Sequence, residues 1–337
     1  MAVRMKDIAD ALGVSLMTVS KALRGHTDIS DETRERILRR AQQLKYQPNW
    51  IARSLAGRET FIVGLVIPDL MHSFFAEVAL GLTKELGPLG YQIVLANSDE
   101  NAETERREIE LLLARNVDGL VVASTQRDWR RGGPHVLKNK QTPYVLIDRM
   151  PAGVNVNYVG TPDEDLGELA TDHLIEEGCR RIAHIRGPDN PNAMRRLDGF
   201  ERSLRKHSRK LPSHYVVEGG ARDESGYRAM KELLRLRRPP DGVFCYNDPV
   251  AAGAIKAVLE SGAKIPQDVA IVGAGNVHYS DLLRVPLSTI DQSAQTIGET
   301  AARILVDCMR AKNPPTPRSI LIPPRLIVRE SSCRRGC

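Results

Sequence analysis

Residues Met5 to Leu23, M-K-D-I-A-D-A-L-G-V-S-L-M-T-V-S-K-A-L, constrain the fold more than any other stretch. Ile8, Ala9 and Leu12 fall on one face of a first helix, and Val19, Ala22 and Leu23 on one face of a second. Gly13 between them can reach positive φ without a Cβ clash, and Ser15 stands where its hydroxyl can cap the second helix. A small residue at Ala9, the glycine and an apolar Val19 let two helices cross closely around a tight turn, as in a helix-turn-helix. An ordinary αα-hairpin would explain the apolar faces, but not caps, turn and small residue agreeing in one window. Ser30 then caps a third segment, D-E-T-R-E-R-I-L-R-R-A-Q-Q-L, in which Ile37, Ala41 and Leu44 would cover the first two helices. Asp31 and Glu32 open it and Arg39 and Arg40 close it, as the helix dipole favours.

Charge placement supports a separate basic head. Residues 1–58 hold eleven Lys/Arg against six Asp/Glu, and the other 279 residues contribute only +1 to the net +6. Such a head suits a polyanion, and a near-neutral body suits regulation. A chain of 337 residues fits two or three domains. No apolar run approaches the roughly 18 residues of a membrane span, and M-A-V-R-M-K-D lacks a signal-peptide core, so a cytoplasmic protein with no membrane partner is expected. Five cysteines without CxxC spacing predict neither a disulfide framework nor a zinc site.

Between head and body lies Y-Q-P-N-W-I-A-R-S-L-A-G-R. Two turns of helix before Gly57 are too short to persist alone, so this hinge is expected to be helical only when something docks on it. From Phe61 short apolar runs alternate with amphipathic stretches, from F-I-V-G-L-V-I to V-A-I-V-G. Repeated βα units predict parallel sheets with helices on both faces. D-G-L-V-V-A and D-G-V-F-C-Y hold matching places in two halves, which would form a cleft at the carboxyl ends of their strands.

With these residues in view, the chain resembles the lactose-repressor/galactose-repressor (LacI/GalR) family of bacterial transcription regulators. The resemblance rests on M-K-D-I-A…L-G-V-S…T-V-S-K-A-L, D-I-S-D-E-T-R, L-K-Y-Q-P-N…A-R-S-L-A-G-R, R-R-L-D-G-F, F-C-Y-N-D-P-V-A-A-G and P-L-S-T-I-D-Q, and spans roughly Met5 to Val328. It implies an all-α helix-turn-helix headpiece (1–47), a hinge (48–59) and a periplasmic-binding-protein-like α/β core (60–330). That core would have two doubly wound parallel-sheet subdomains, split near 148–160 with a return near 288–292, followed by a disordered tail (331–337). It further implies a homodimer, with a tetramer left open, on pseudo-palindromic double-stranded operator DNA, probed by one helix per half-site.

By the same resemblance Leu16, Met17, Ser20 and Lys21 face bases in the major groove, while Ser15, Thr18, Arg24 and Asn49 touch phosphates. Ala52 joins the DNA-binding set from the hinge, and Leu55 matches a leucine that wedges into the minor groove. A small-molecule effector, carbohydrate-like, would meet Asp69, His72, Phe74, Phe75, Ser124, Asp148, Arg196, Asn247, Asp248 and Asn276. Two positions depart from the family pattern. Ala221 replaces an aromatic platform, and V-G-A-G-N puts Gly275 and Asn276 where an acidic residue is usual. Both tell against a purine-like or ordinary hexose ligand and leave a larger or phosphorylated effector, or none, open. Arg149 and Arg195, beside the cleft, would suit an anion. A solute-binding protein of the same core fold is opposed by the basic head. An enzyme is opposed by the lack of P-loop, GxSxG and HExxH patterns, and no cofactor or metal is expected.

Overall fold

A computed structural model describes residues 3–23, 28–46, 59–129, 137, 142–313 and 315–334. The chain divides into two compact units, Met1–Thr60 and Phe61–Cys337. In the first, α1 (Met5–Leu12), α2 (Leu16–Leu23) and α3 (Asp31–Gln43) enclose Ile8, Ala9, Val19, Ala22, Ile37 and Ala41. Leu12, Leu23 and Leu44 pack around that cluster. Gly13 ends α1 in the left-handed region at φ 64°, and Ser15 Oγ accepts the Thr18 N–H at 3.0 Å. The expected hinge helix lies outside the described residues.

The second unit has two lobes. The first sheet runs in the order β11 (Ser319–Leu321), β5 (Tyr158–Gly160), β4 (Tyr144–Ile147), β3 (Gly119–Val122), β1 (Ile62–Ile67) and β2 (Gln92–Asn97), all parallel. The second runs β12 (Arg325–Ile327), β10 (Ser288–Asp291), β9 (Ala270–Gly275), β8 (Gly242–Cys245), β6 (Ile182–Arg186) and β7 (Val216–Glu218). Here the expected parallel pattern fails at one edge, where β12 is antiparallel to β10. β12 arrives straight from the other lobe, and without a crossover helix nothing obliges it to run parallel.

Strand alternation sorts side chains onto two faces. Val63, Leu65 and Ile67 meet α4 (Ser73–Leu86) and α10 (Ala294–Arg310), while Val66 meets α5 (Ala102–Ala114) on the other side. In the second lobe α6 (Asp163–Glu176) and α7 (Pro191–Lys206) cover one face, α8 (Asp223–Leu234) and α9 (Asp248–Glu260) the other. Each lobe is therefore doubly wound.

The helix pairs touch through facing glycines. A Cβ at Gly167 of α6 would stand 2.2 Å from the Arg196 carbonyl oxygen, and one at Gly199 of α7 2.0 Å from that of Glu164. Gly81 and Gly298 do the same between α4 and α10, as do Gly226 and Gly253 between α8 and α9. Gly167→Ala is therefore expected to wedge α7 away and destabilise the core by about 1–3 kcal/mol. A urea midpoint equal to the parent's would show that the helices have room to spare.

The chain crosses between lobes after Gly160, after Asp291, and again between Leu321 and Arg325. The crossings lie side by side: Ile322 N–H donates to Gly160 O at 2.8 Å and Thr161 Oγ1 to Gln292 O at 3.5 Å. The disordered tail expected over 331–337 is instead ordered through Arg334. Ser331 and Ser332 are fully buried, with Ser331 Oγ donating to Ile271 O at 2.6 Å and Ser332 Oγ to Ser288 Oγ at 2.7 Å. Hydrogen bonds, not apolar side chains, hold this segment. Cys333 within it is disulfide-bonded, whereas Cys179, Cys245 and Cys308 are free.

Candidate functional site

The head presents one face built for contact. At the start of α2, Leu16 is 51% and Met17 62% exposed, an uncovered apolar pair on a small module. Ser15 and Thr18 share a hydrogen bond of 2.8 Å at the helix N-terminus, and Ser20 and Lys21 lie half-buried one turn on. Lys21 Nζ is paired with Asp28. Arg24, Asn49, Ala52 and Leu55 lie outside the described residues.

The core presents a cleft where strands of both lobes end. Its lining includes Asp69, His72, Phe74 and Phe75 after β1, Asp148 and Arg149 after β4, and Arg196 on α7. Asn247, at the N-cap of α9, completes the expected residues that meet there. Glu100, Asn192, Tyr246 and Gln292 also line it, and sequence reasoning did not single them out. The first three follow β2, β6 and β8, so the rule that ligands sit beyond strand carboxyl ends was the available signal.

Both cleft arginines are already engaged. Arg149 grips Glu100 through two bonds of 2.7 Å. Arg196 Nε donates to Asp163 Oδ1 at 2.8 Å and its NH1 to Tyr246 O at 2.6 Å, with the guanidinium 4.8 Å from the Tyr246 ring centre. Burial pushes the Asp163 carboxyl up to about 6 against the pull of Arg196, and burial also raises Asp148. Asp148 sits at φ 60° and accepts from Asn192 Nδ2 across the cleft at 3.0 Å.

Further links join the lobes at the rim. Arg222, next to Ala221, reaches Asp69 at 3.3 Å and Asp99 at 3.6 Å. Burial pulls His72 down to about 4, so its ring is neutral near pH 7. Its Nδ1 lies 3.3 Å from the Phe74 N–H and its Nε2 3.2 Å from Asn247 Nδ2 of the other lobe. Asn247 Oδ1 accepts the Val250 N–H at 2.9 Å, which fixes the amide's orientation. A neutral imidazole accepts at one nitrogen only, so capping α4 and linking the lobes are alternatives set by the tautomer.

Three expected cleft residues lie elsewhere. Ser124 is buried with Glu105 at 2.9 Å and Trp129 Nε1 at 3.1 Å, bracing the loop after β3. Asp248 is fully buried and accepts from Val277 N–H at 3.0 Å, Ser280 Oγ at 2.7 Å and Thr289 Oγ1 at 2.6 Å. Asn276, at φ 48°, accepts from Arg329 NH2 at 2.9 Å. Among the described residues no cluster of His, Cys, Asp and Glu could hold a metal ion, and no helix is long and apolar enough to cross a membrane.

Comparison with known proteins agrees with both halves of this picture. Residues 4–49 match the model of bacterial regulatory proteins of the lacI family, and residues 171–332 that of a periplasmic binding protein-like domain. The ribose operon repressor of Halalkalibacterium halodurans is 32% identical over 97% of this chain and 96% of its own length. The complex of transcriptional regulator CelR with cellobiose is 31% identical, covers 98% of this chain and 99% of that one, and gives a TM-score of 0.73. The lac repressor dimer bound to operator and the anti-inducer ONPF is 25% identical, covers 98% and 99%, and gives 0.86. Head, lobes and relatives over nearly the full length agree, and the chain belongs to the lacI family of DNA-binding regulators, whose hold on operator DNA is set by a small molecule.

Proposed function

We propose that this chain is a homodimeric cytoplasmic repressor that acts by binding, and that its effector is a neutral polyhydroxylated molecule of the sugar class. The pairing of both cleft arginines carries the proposal. Arg149 and Arg196 are matched by Glu100 and Asp163, Arg222 at the rim is matched by Asp69, and Asp148 adds a further carboxyl beside Arg149. A phosphate or carboxylate would find Arg149, Arg196 and Arg222 already engaged by carboxylates, which speaks against the anion expectation raised by Arg149 and Arg195. Hydroxyls both donate to carboxylates and accept from Asn192 and Asn247, and the Phe74 and Phe75 rings offer an apolar surface. The names of the ribose and cellobiose relatives point to the same class.

Such a ligand, touching both lobes, regulates by favouring one degree of closure over another. Thermal melting against paired neutral sugars and their phosphates tests the class. A neutral sugar should raise the midpoint in a concentration-dependent way and its phosphate should not. Stabilisation by phosphates alone would overturn the reading.

For the head, Leu16 and Met17 supply apolar contacts to thymine methyls, and Lys21 exchanges Asp28 for a guanine edge. Ser15, Thr18, Arg24 and Asn49 serve as phosphate contacts, with Ala52 and Leu55 at the hinge. Lys21→Ala is expected to lose about 1–3 kcal/mol per half-site on the preferred sequence and to relax selectivity there. Equal weakening on every sequence would make Lys21 a phosphate contact instead.

A further inference from the structure

The +1 carried by the 279 residues after Arg58 hides an uneven distribution. Because β6, β7 and β8 run parallel, the loops leading into them open on one edge of the second sheet, opposite the edge that bears the cleft. Those loops carry Arg180-Arg181, Arg209-Lys210 and Arg237-Arg238. They are bound to one another: Arg181 Nε donates to Pro239 O at 2.7 Å, Tyr215 Oη to Arg238 O at 2.8 Å, and Arg209 NH1 to Cys179 O. Arg334 joins them, NH2 donating to Asp241 O at 2.6 Å.

The acids on this edge are occupied or few. Asp241 takes the Arg180 and Arg181 amides at 2.9 and 2.7 Å and pairs with Arg181, while Asp268 takes the Lys264 amide at 2.8 Å. Glu177 takes the Arg334 amide at 2.7 Å, and Glu176 is exposed. The side chains of Arg180, Lys210, Arg237 and Arg238 are exposed, with no ion pair or hydrogen bond among the described residues. None of the large exposed apolar side chains falls in these loops.

We propose that this edge is a second, sequence-independent DNA-binding surface that holds duplex phosphates. Phosphate contact requires cations on a contiguous face and nothing apolar, whereas a protein partner would bury aromatic and aliphatic anchors. Fixed loops with free arginine ends meet the first description. Arginine forks match phosphate oxygens two at a time.

The test is amide hydrogen exchange of the full chain with and without a short duplex of arbitrary sequence at low salt. Exchange should slow in α2 and also in residues 177–181, 207–214 and 235–241. Protection confined to the head would overturn the proposal, and loss of protection in α2 alone would count against the head instead. In an Arg180→Gln/Arg237→Gln/Arg238→Gln variant the loops should lose protection while α2 keeps it. The slope of log K against log salt should also fall in magnitude by about 0.9 for each phosphate contact removed. Lys210→Gln, at an exposed side chain with no hydrogen bond or ion pair among the described residues, repeats the test if the triple variant misfolds. Unchanged loop protection in both variants would assign the effect elsewhere.

Discussion

Arg196→Ala is expected to destabilise the core by about 3–5 kcal/mol, because it strands the fully buried Asp163 carboxylate without its partner. Asp163 Oδ2 already lacks a hydrogen bond, so no other group takes over. The cost should depend on pH with a definite sign. Burial holds the folded-state carboxyl at about 6, above its ordinary value, and removal of Arg196 raises it further. A raised carboxyl costs stability once ionised, so the gap between variant and parent should widen as pH rises through neutrality and narrow on acidification. His72, held down to about 4 by burial and in smaller part by Arg196, weakens the parent on acidification below its ordinary value. Losing Arg196 relieves part of that, which narrows the gap further at low pH. Asp163→Asn added to Arg196→Ala should recover a large part of the loss. Urea denaturation of the four proteins of this cycle at several pH values would settle it. A variant within about 1 kcal/mol of the parent would mean that the pair contributes no more than a surface bridge.

Asp248→Ala should cost about 3–5 kcal/mol, since it leaves one buried N–H and two buried hydroxyls without their acceptor. In melting this is a drop of roughly 6–20 °C. Segment 276–280 would loosen, because its Val277 amide and Ser280 hydroxyl converge on that carboxylate. Effector affinity would change only through this loosening. A variant that melts like the parent yet loses the effector would restore Asp248 to the cleft.

Asp248 also shows where sequence stops being a guide. It adjoins Asn247, both follow β8 at its carboxyl end, and both are residue types that bind hydroxyls. One is the N-cap and the other the first residue of α9, so their side chains leave the backbone in different directions, one to the cleft and one into the fold. Spacing places a residue at a strand end but does not aim it. Ser124 and Asn276 diverged for the same reason, because loop bracing and sugar recognition draw on the same side chains. Periodicity was a better guide where burial is apolar. Ile8, Val19 and Ile37 meet as their spacing demands, and Val66 separates from Leu65 and Ile67 by strand alternation. Ser331 and Ser332 are buried through hydrogen bonds, so no hydrophobic pattern could announce them.

The three crossings beside one another set what kind of signal the cleft can send. A lobe hung on one strand could swivel freely, and one hung on two could still twist. Three adjacent connecting segments, bonded between Gly160 and Ile322 and between Thr161 and Gln292, would favour bending about one line over torsion. A ligand bridging the lobes would then act mainly through a single scalar, the angle at which the two lobes come to rest. Ligands that favour opposite angles would be opposite readings on one dial. A substitution in the hinge would shift the zero of that dial for all ligands together, whereas one in the cleft changes only which molecules can turn it.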